Sequence, residues 1–117
     1  MNKDELKLRT KNFALRISTL VDALPDTTAG KIVAHQLFKS STSIAANYRA
    51  VCRGRSKAEF QSKLHIVLEE ADESEFWLEF IIDSYLLPKE KVKNLLQEAG
   101  ELTAIFAKSY HTVSTNK

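Results

Sequence analysis

A chain of 117 residues is long enough for one domain with its own core, and short enough that much of its surface stays wet unless copies associate. Its 44% hydrophobic and 27% charged residues, with a formal net charge of +2, exclude a disordered chain. Three glycines and two prolines leave almost no material for hairpins or long loops, so the class is all-α.

The first helix is predicted over about residues 5–24, with Leu6, Phe13, Ile17, Leu20, Val21 and Leu24 on one face and a stop at Pro25. Asp26, Thr27 and Thr28 offer N-caps for a second helix over about residues 29–53, where Gly30 is tolerable in the first turn. Leu37, Ile44, Ala45, Tyr48, Val51 and Cys52 form its apolar stripe, with the small Ser41 among them. Gly54 is expected to close this helix in the left-handed conformation, and Ser56 with Glu59 reads as a capping box for the next. So short a connection makes the two helices antiparallel.

The third helix, about residues 57–86, is predicted to be the longest, about 45 Å at 1.5 Å per residue. Phe60, Leu64, Val67, Leu68, Ala71, Leu78, Ile81, Ile82 and Tyr85 share its core face. Pro88 opens a fourth helix, about residues 88–111, whose seam runs Val92, Leu95, Leu96, Ala99, Leu102, Phe106, Tyr110. Gly100 weakens this helix slightly or lets a neighbour approach closely, and residues from about Thr112 onward are expected to fray. Together these elements predict one domain over residues 1–117, an antiparallel up-down-up-down four-helix bundle.

Cys52 lies on the apolar stripe and reads as a small buried hydrophobe, not a reactive thiol. No apolar run approaches the roughly 20 residues that span a bilayer, and the N-terminal residues lack a signal-peptide apolar block, so the cytoplasm is the expected compartment.

Four large apolar side chains of the third helix, Ile66, Phe76, Trp77 and Phe80, project away from its core face. Either the apolar stripe is wide or these residues form a subunit interface; the preference of Trp and Phe for interface centres favours the second. Glu75, by contrast, falls on the core side and has no evident reason to be there.

Charge is segregated along the chain. Seven bases (Lys31, Lys39, Arg49, Arg53, Arg55, Lys57, Lys63) stand against Glu59 alone between Lys31 and Leu68, and seven acids with no base lie between Glu69 and Asp83. Arg49, Arg53, Arg55, Lys57 and Lys63, gathered about the turn, are candidate phosphate contacts for RNA or DNA. A structural reading also stands: Arg49 and Arg53 complement the end of a helix dipole, and arginines can pair with acids of the third helix or of another subunit.

Ser40, Ser43 and Asn47 flank the second helix's stripe and read as a satisfied polar network facing Glu70 and Glu73. His35, His65 and His111 lack the carboxylate context of a catalytic triad. Glu70 and Glu73 lack the Glu-x-x-His partner of a di-iron bundle, and Gly54 is too isolated to form a phosphate loop. No catalytic residue, metal ligand or cofactor is predicted.

The central third of the chain resembles a bacterial family of four-helix-bundle proteins first noticed in intervening sequences of the large-subunit rRNA gene, also called ribosomal S23-type proteins. The resemblance is carried by Ser43-Ile44-x-x-Asn47-Tyr48-Arg49, by Arg55-Ser56-Lys57-Ala58-Glu59-Phe60 with Lys63-Leu64, and by Glu70-Ala71-Asp72-Glu73-Ser74 followed by Trp77-Leu78. Glu75 departs from it, since the family tends to be apolar there. The resemblance implies a homopentamer without enzymatic activity, with the leftover apolar residues at or near a subunit contact. The accessory variability protein of diversity-generating retroelements is similar and implies a basic surface for nucleic acid and a reverse-transcriptase partner. Three functions are thus on the table: an oligomeric nucleic-acid-associating scaffold, a protein–protein adaptor that ignores nucleic acid, and a hydrolase or metalloenzyme, for which no constellation is evident.

Overall fold

Each helix begins where a side chain or carbonyl can take up N–H groups that helical geometry leaves without a partner. In the computed structural model, which describes residues 1–115, four helices follow: α1 (Lys3–Asp22), α2 (Thr28–Cys52), α3 (Lys57–Asp83) and α4 (Lys89–Thr115). Asn2 starts α1 two residues earlier than periodicity predicts, its Oδ1 accepting from the Glu5 N–H at 2.8 Å and its amide donating to the Glu5 carboxylate at 2.7 Å. Thr27 caps α2 by accepting from the Gly30 N–H at 3.1 Å. Ser56 caps α3 by accepting from the Glu59 N–H at 3.1 Å, but among the described residues Glu59 does not return the bond, so the capping box is half made.

The helix ends hold the main departures from the sequence reading. Gly54 does not adopt a left-handed conformation: no glycine here has positive φ. Instead α2 tightens over Arg53 and Gly54, whose N–H groups donate to the Ala50 and Val51 carbonyls. A Cβ at Gly54 would lie 3.6 Å from Phe60 and 3.2 Å from the Val51 carbonyl oxygen.

The left-handed residue is Tyr85, with φ of 59°. It ends α3 at Asp83, short of residue 86, through a Schellman pair in which Tyr85 N–H donates to Ile82 and Leu86 N–H donates to Ile81, both at 3.1 Å. This turn throws Tyr85 into solvent, 91% exposed, and removes it from the core face assigned to it above. At the other extreme α4 runs on to Thr115, so Thr112 to Thr115 are helical, and Val113 packs on the core. Asn116 and Lys117, also expected to fray, lie outside the described residues.

The bundle is about twice as long as it is wide, 46 × 23 × 20 Å. One core draws on all four helices, with Phe13, Ile17, Leu37, Ile44, Leu64, Leu78, Ile81, Leu102 and Phe106 at its centre. α2 packs on α1 and on α3, and α3 on α4; the α1–α4 seam is the slightest. That seam is polar: Arg9 donates to both Glu98 oxygens at 2.7 and 2.6 Å and to Glu101 at 2.8 Å, while Arg16, Asn94 and Gln97 line the open clefts beside them. On the far side of the core Tyr48 of α2 meets Phe106 of α4, ring centroids 5.5 Å apart.

Glu75 finds its reason here. Its carboxylate lies over Gly100 of α4, where a Cβ would stand 3.2 Å from the oxygen, so the acid on α3 and the glycine on α4 occupy one gap together.

Candidate nucleic-acid interface and aromatic face

Antiparallel packing brings the start of α1, the end of α2, the start of α3 and the end of α4 to one end of the molecule. Arg53, Arg55 and Lys57 are exposed there, in or beside the α2–α3 turn. Lys3 of α1 is exposed at the same end, brought there from a distant part of the chain that no local pattern links to the turn. Arg53 and Arg55 have no carboxylate within 4.0 Å among the described residues, and neither have Arg49 and Lys63. The expectation that arginines of the turn pair with acids of α3 is therefore not met within the chain. Unneutralised guanidiniums on a convex end present a positive potential to solvent.

Two of the five basic candidates leave that end. Arg49 sits on the outer side of α2 and faces α1, where it lines a groove of about 570 Å³ with Lys7, Lys11, Ala14, Thr42 and Ala45. Lys63 lies half-buried on α3. Lys7 and Lys11 stand i, i+4 on α1, and their meeting with Arg49 depends on how α1 is laid against α2.

The leftover apolar residues of α3 divide into two kinds. Ile66 and Trp77 are half-buried, and Trp77 packs on the core while its indole N–H points to Glu73 at 3.4 Å. Phe76 and Phe80 are open to solvent at 54% and 39% exposure. Phe76, Trp77 and Phe80 form a three-ring cluster with centroids 4.9, 5.9 and 6.3 Å apart, two of the contacts edge-on. The wide-stripe reading thus suits Ile66 and Trp77, whereas Phe76 and Phe80 belong to no core of this chain. Sequence reading missed a second apolar exposure, Leu8 and Leu15 on α1 with Phe38 on α2, each 44–59% exposed.

The polar residues of α2 are satisfied, though not as expected. Ser40 Oγ meets Ser74 Oγ of α3 at 2.8 Å in the buried interior, and Asn47 donates to the carbonyl and hydroxyl of Ser43, one turn back. Glu70 and Glu73 take no part. Burial raises the Glu70 carboxyl above the ordinary range, helped by Glu73 and opposed by Lys39. Tyr48 is likewise raised, chiefly by burial and then by Cys52, which lies half-buried against the core. His65 pairs with Glu69 and stacks near Tyr110, and among the described residues no three His, Cys, Asp or Glu side chains converge as a metal site would require. Nor is any described helix long and apolar enough to cross a membrane.

Among curated proteins nothing matches this chain. Among solved structures it is similar to a protein of unknown function from the S23 ribosomal protein family of Bacteroides thetaiotaomicron VPI-5482, determined at 1.70 Å resolution. The two share 31% identity over 89% of this chain and 96% of that one, with a TM-score of 0.81. The model of the 23S rRNA-intervening sequence protein family matches residues 4–108, which takes in the basic end, the aromatic face and all but the last turns of α4. Because that match covers most of the chain, including α2 and α3 whole, the chain belongs to the 23S rRNA-intervening sequence protein family.

Proposed function

We propose that this protein is a non-enzymatic, oligomeric helical scaffold that associates with RNA or DNA through the basic end of its bundle. The observation that carries the reading is the pair of exposed guanidiniums, Arg53 and Arg55, with no carboxylate within 4.0 Å among the described residues. Lys57 extends that surface, and Arg49 and Lys63 flank it. Phosphate contacts of this kind give affinity without sequence preference, because they read the backbone and not the bases. Association into a ring of five, as the family resemblance implies, would repeat the basic end five times and multiply weak contacts into useful avidity. The family's tie to an rRNA intervening sequence makes RNA the first polymer to test.

The test is fluorescence anisotropy of labelled RNA and DNA titrated with protein across a range of salt. Affinity is expected to fall steeply with salt, and the Arg53→Ala/Arg55→Ala variant to bind all sequences more weakly with a salt slope lower by about 2. Absence of binding at about 50 mM salt removes the reading. In that event the three-ring cluster of Phe76, Trp77 and Phe80 favours a protein–protein adaptor, with a reverse transcriptase as one class of partner.

A further inference from the structure

Two faces of this molecule are uncovered, and they complement one another. On the first, α1 and α2 frame the groove of about 570 Å³, with Lys7, Lys11 and Arg49 toward one end and small Ala14, Thr42 and Ala45 along its floor. Exposed Leu15 and Phe38 continue it in apolar character. Lys11 and Arg49 have no carboxylate partner among the described residues. On the second, the outer stripe of α3 runs from acid to aromatic: Glu69, Asp72 and Glu73, then Phe76 and Phe80. Asp72 has no cation within 4.0 Å among the described residues.

The two stripes match in order and in length. From Arg49 to Phe38 is eleven residues of α2, and from Glu69 to Phe80 is eleven residues of α3, so each runs cation to aromatic or acid to aromatic over about 16 Å. Within each stripe the residues lie on one side of their helix at about 100° per residue.

We propose that the outer face of α3 from one copy seats in the α1–α2 groove of the next, antiparallel to α2. In this register Glu69 meets Arg49, Asp72 meets Lys11, Phe76 settles over Ala14 and Thr42, and Phe80 meets Phe38. Small residues in the floor leave room for the Phe76 ring, and the charges fix which way the helix lies, since sliding or reversing it sets acids against apolar side chains. The contact joins two different surfaces, so it is head-to-tail, and successive copies close into a ring or run on as a filament. Arg49 thereby becomes a subunit contact, and Arg53 and Arg55 at the end of the bundle stay open for nucleic acid.

The inference rests on the oligomeric part of the proposed function and names the surfaces that make the oligomer. Its test is mass in solution by light scattering, with helicity checked by circular dichroism, since all four residues to be changed are exposed. Lys11→Glu/Arg49→Glu and, separately, Glu69→Lys/Asp72→Lys are expected to keep wild-type helicity and run as single 13.2 kDa chains. All four substitutions in one chain are expected to restore the wild-type mass. Either reversed pair retaining the wild-type mass, or the fourfold variant staying single, overturns this contact while leaving the oligomer standing. A wild-type protein that is a single chain at every concentration overturns the oligomer and this contact together.

Discussion

Tyr85 is the residue with the least ordinary backbone in the chain. It holds φ of 59° at a helix end where glycine or asparagine normally serves, and its side chain touches little, being 91% exposed. An L-residue in this region costs about 1–2 kcal/mol, part of which glycine returns to the unfolded chain as entropy. Tyr85→Gly is therefore expected to stabilise the protein by about 0.5–1 kcal/mol in urea denaturation, whereas Tyr85→Ala, which keeps the Cβ, gains nothing comparable. Gly30 is the opposite case. Its φ is ordinary, yet a Cβ would overlap the carbonyl oxygen of Pro25, which folds back over the first turn of α2. Gly30→Ala is expected to lower stability by about 1–3 kcal/mol, read as a lower urea midpoint at unchanged slope. Periodicity marks Gly30 only as tolerable in a first turn; the path of the α1–α2 loop makes it necessary.

Among the elements, the α1–α4 seam is where a charge network is added to the shared apolar core. Arg9 reaches across to Glu98 and Glu101, and these bonds raise the guanidinium further still above its already high range. Glu101 is held below the usual carboxylate range by hydrogen bonds from Gln97 and from Arg9. A depressed folded-state value means stability that is present above the ordinary carboxylate value of 4.5 and lost as pH falls through the depressed one. Arg9→Met, which keeps a linear side chain, is expected to cost about 1 kcal/mol at pH 7, discounted for exposure. It should also narrow the drop in urea midpoint between pH 6 and pH 3; an unchanged drop would assign the acid sensitivity elsewhere. Glu70 works in the other sense. Its raised value means stability that is complete below the ordinary carboxylate value and lost as pH rises through the raised one, so Glu70→Gln is expected to raise the melting temperature at pH 7 and leave it nearly unchanged at pH 4.

At the scale of the whole molecule the distribution of charge governs what the protein can do. A net of +2 conceals a basic end, an acidic α3 and a cationic groove between α1 and α2. The salt-dependent binding expected of Arg53 and Arg55 belongs to the end, and the mass change expected of Lys11 and Arg49 belongs to the groove. The two surfaces are separable: Arg53→Ala/Arg55→Ala is expected to weaken RNA binding with no change of mass in solution, and a fall to the single-chain mass would show that the end also holds subunits together.

Helix number, approximate extent and inward faces were written in the local pattern, because the apolar residues of one helix recur at its own period whatever lies opposite. The leftover Phe76 and Phe80 were legible for the same reason, and the Ser56 cap from its own local signature, a serine three residues before Glu59. What only the tertiary structure decided are relations between helices: Glu75 over Gly100, Ser40 on Ser74, Arg9 across the α1–α4 seam, and Arg49 joined to Lys11 instead of to the turn. Periodicity records the direction in which a side chain leaves its own axis and holds no information on which neighbour stands there. That neighbour is chosen by the packing of all four helices at once, when each must bury its apolar stripe against the others.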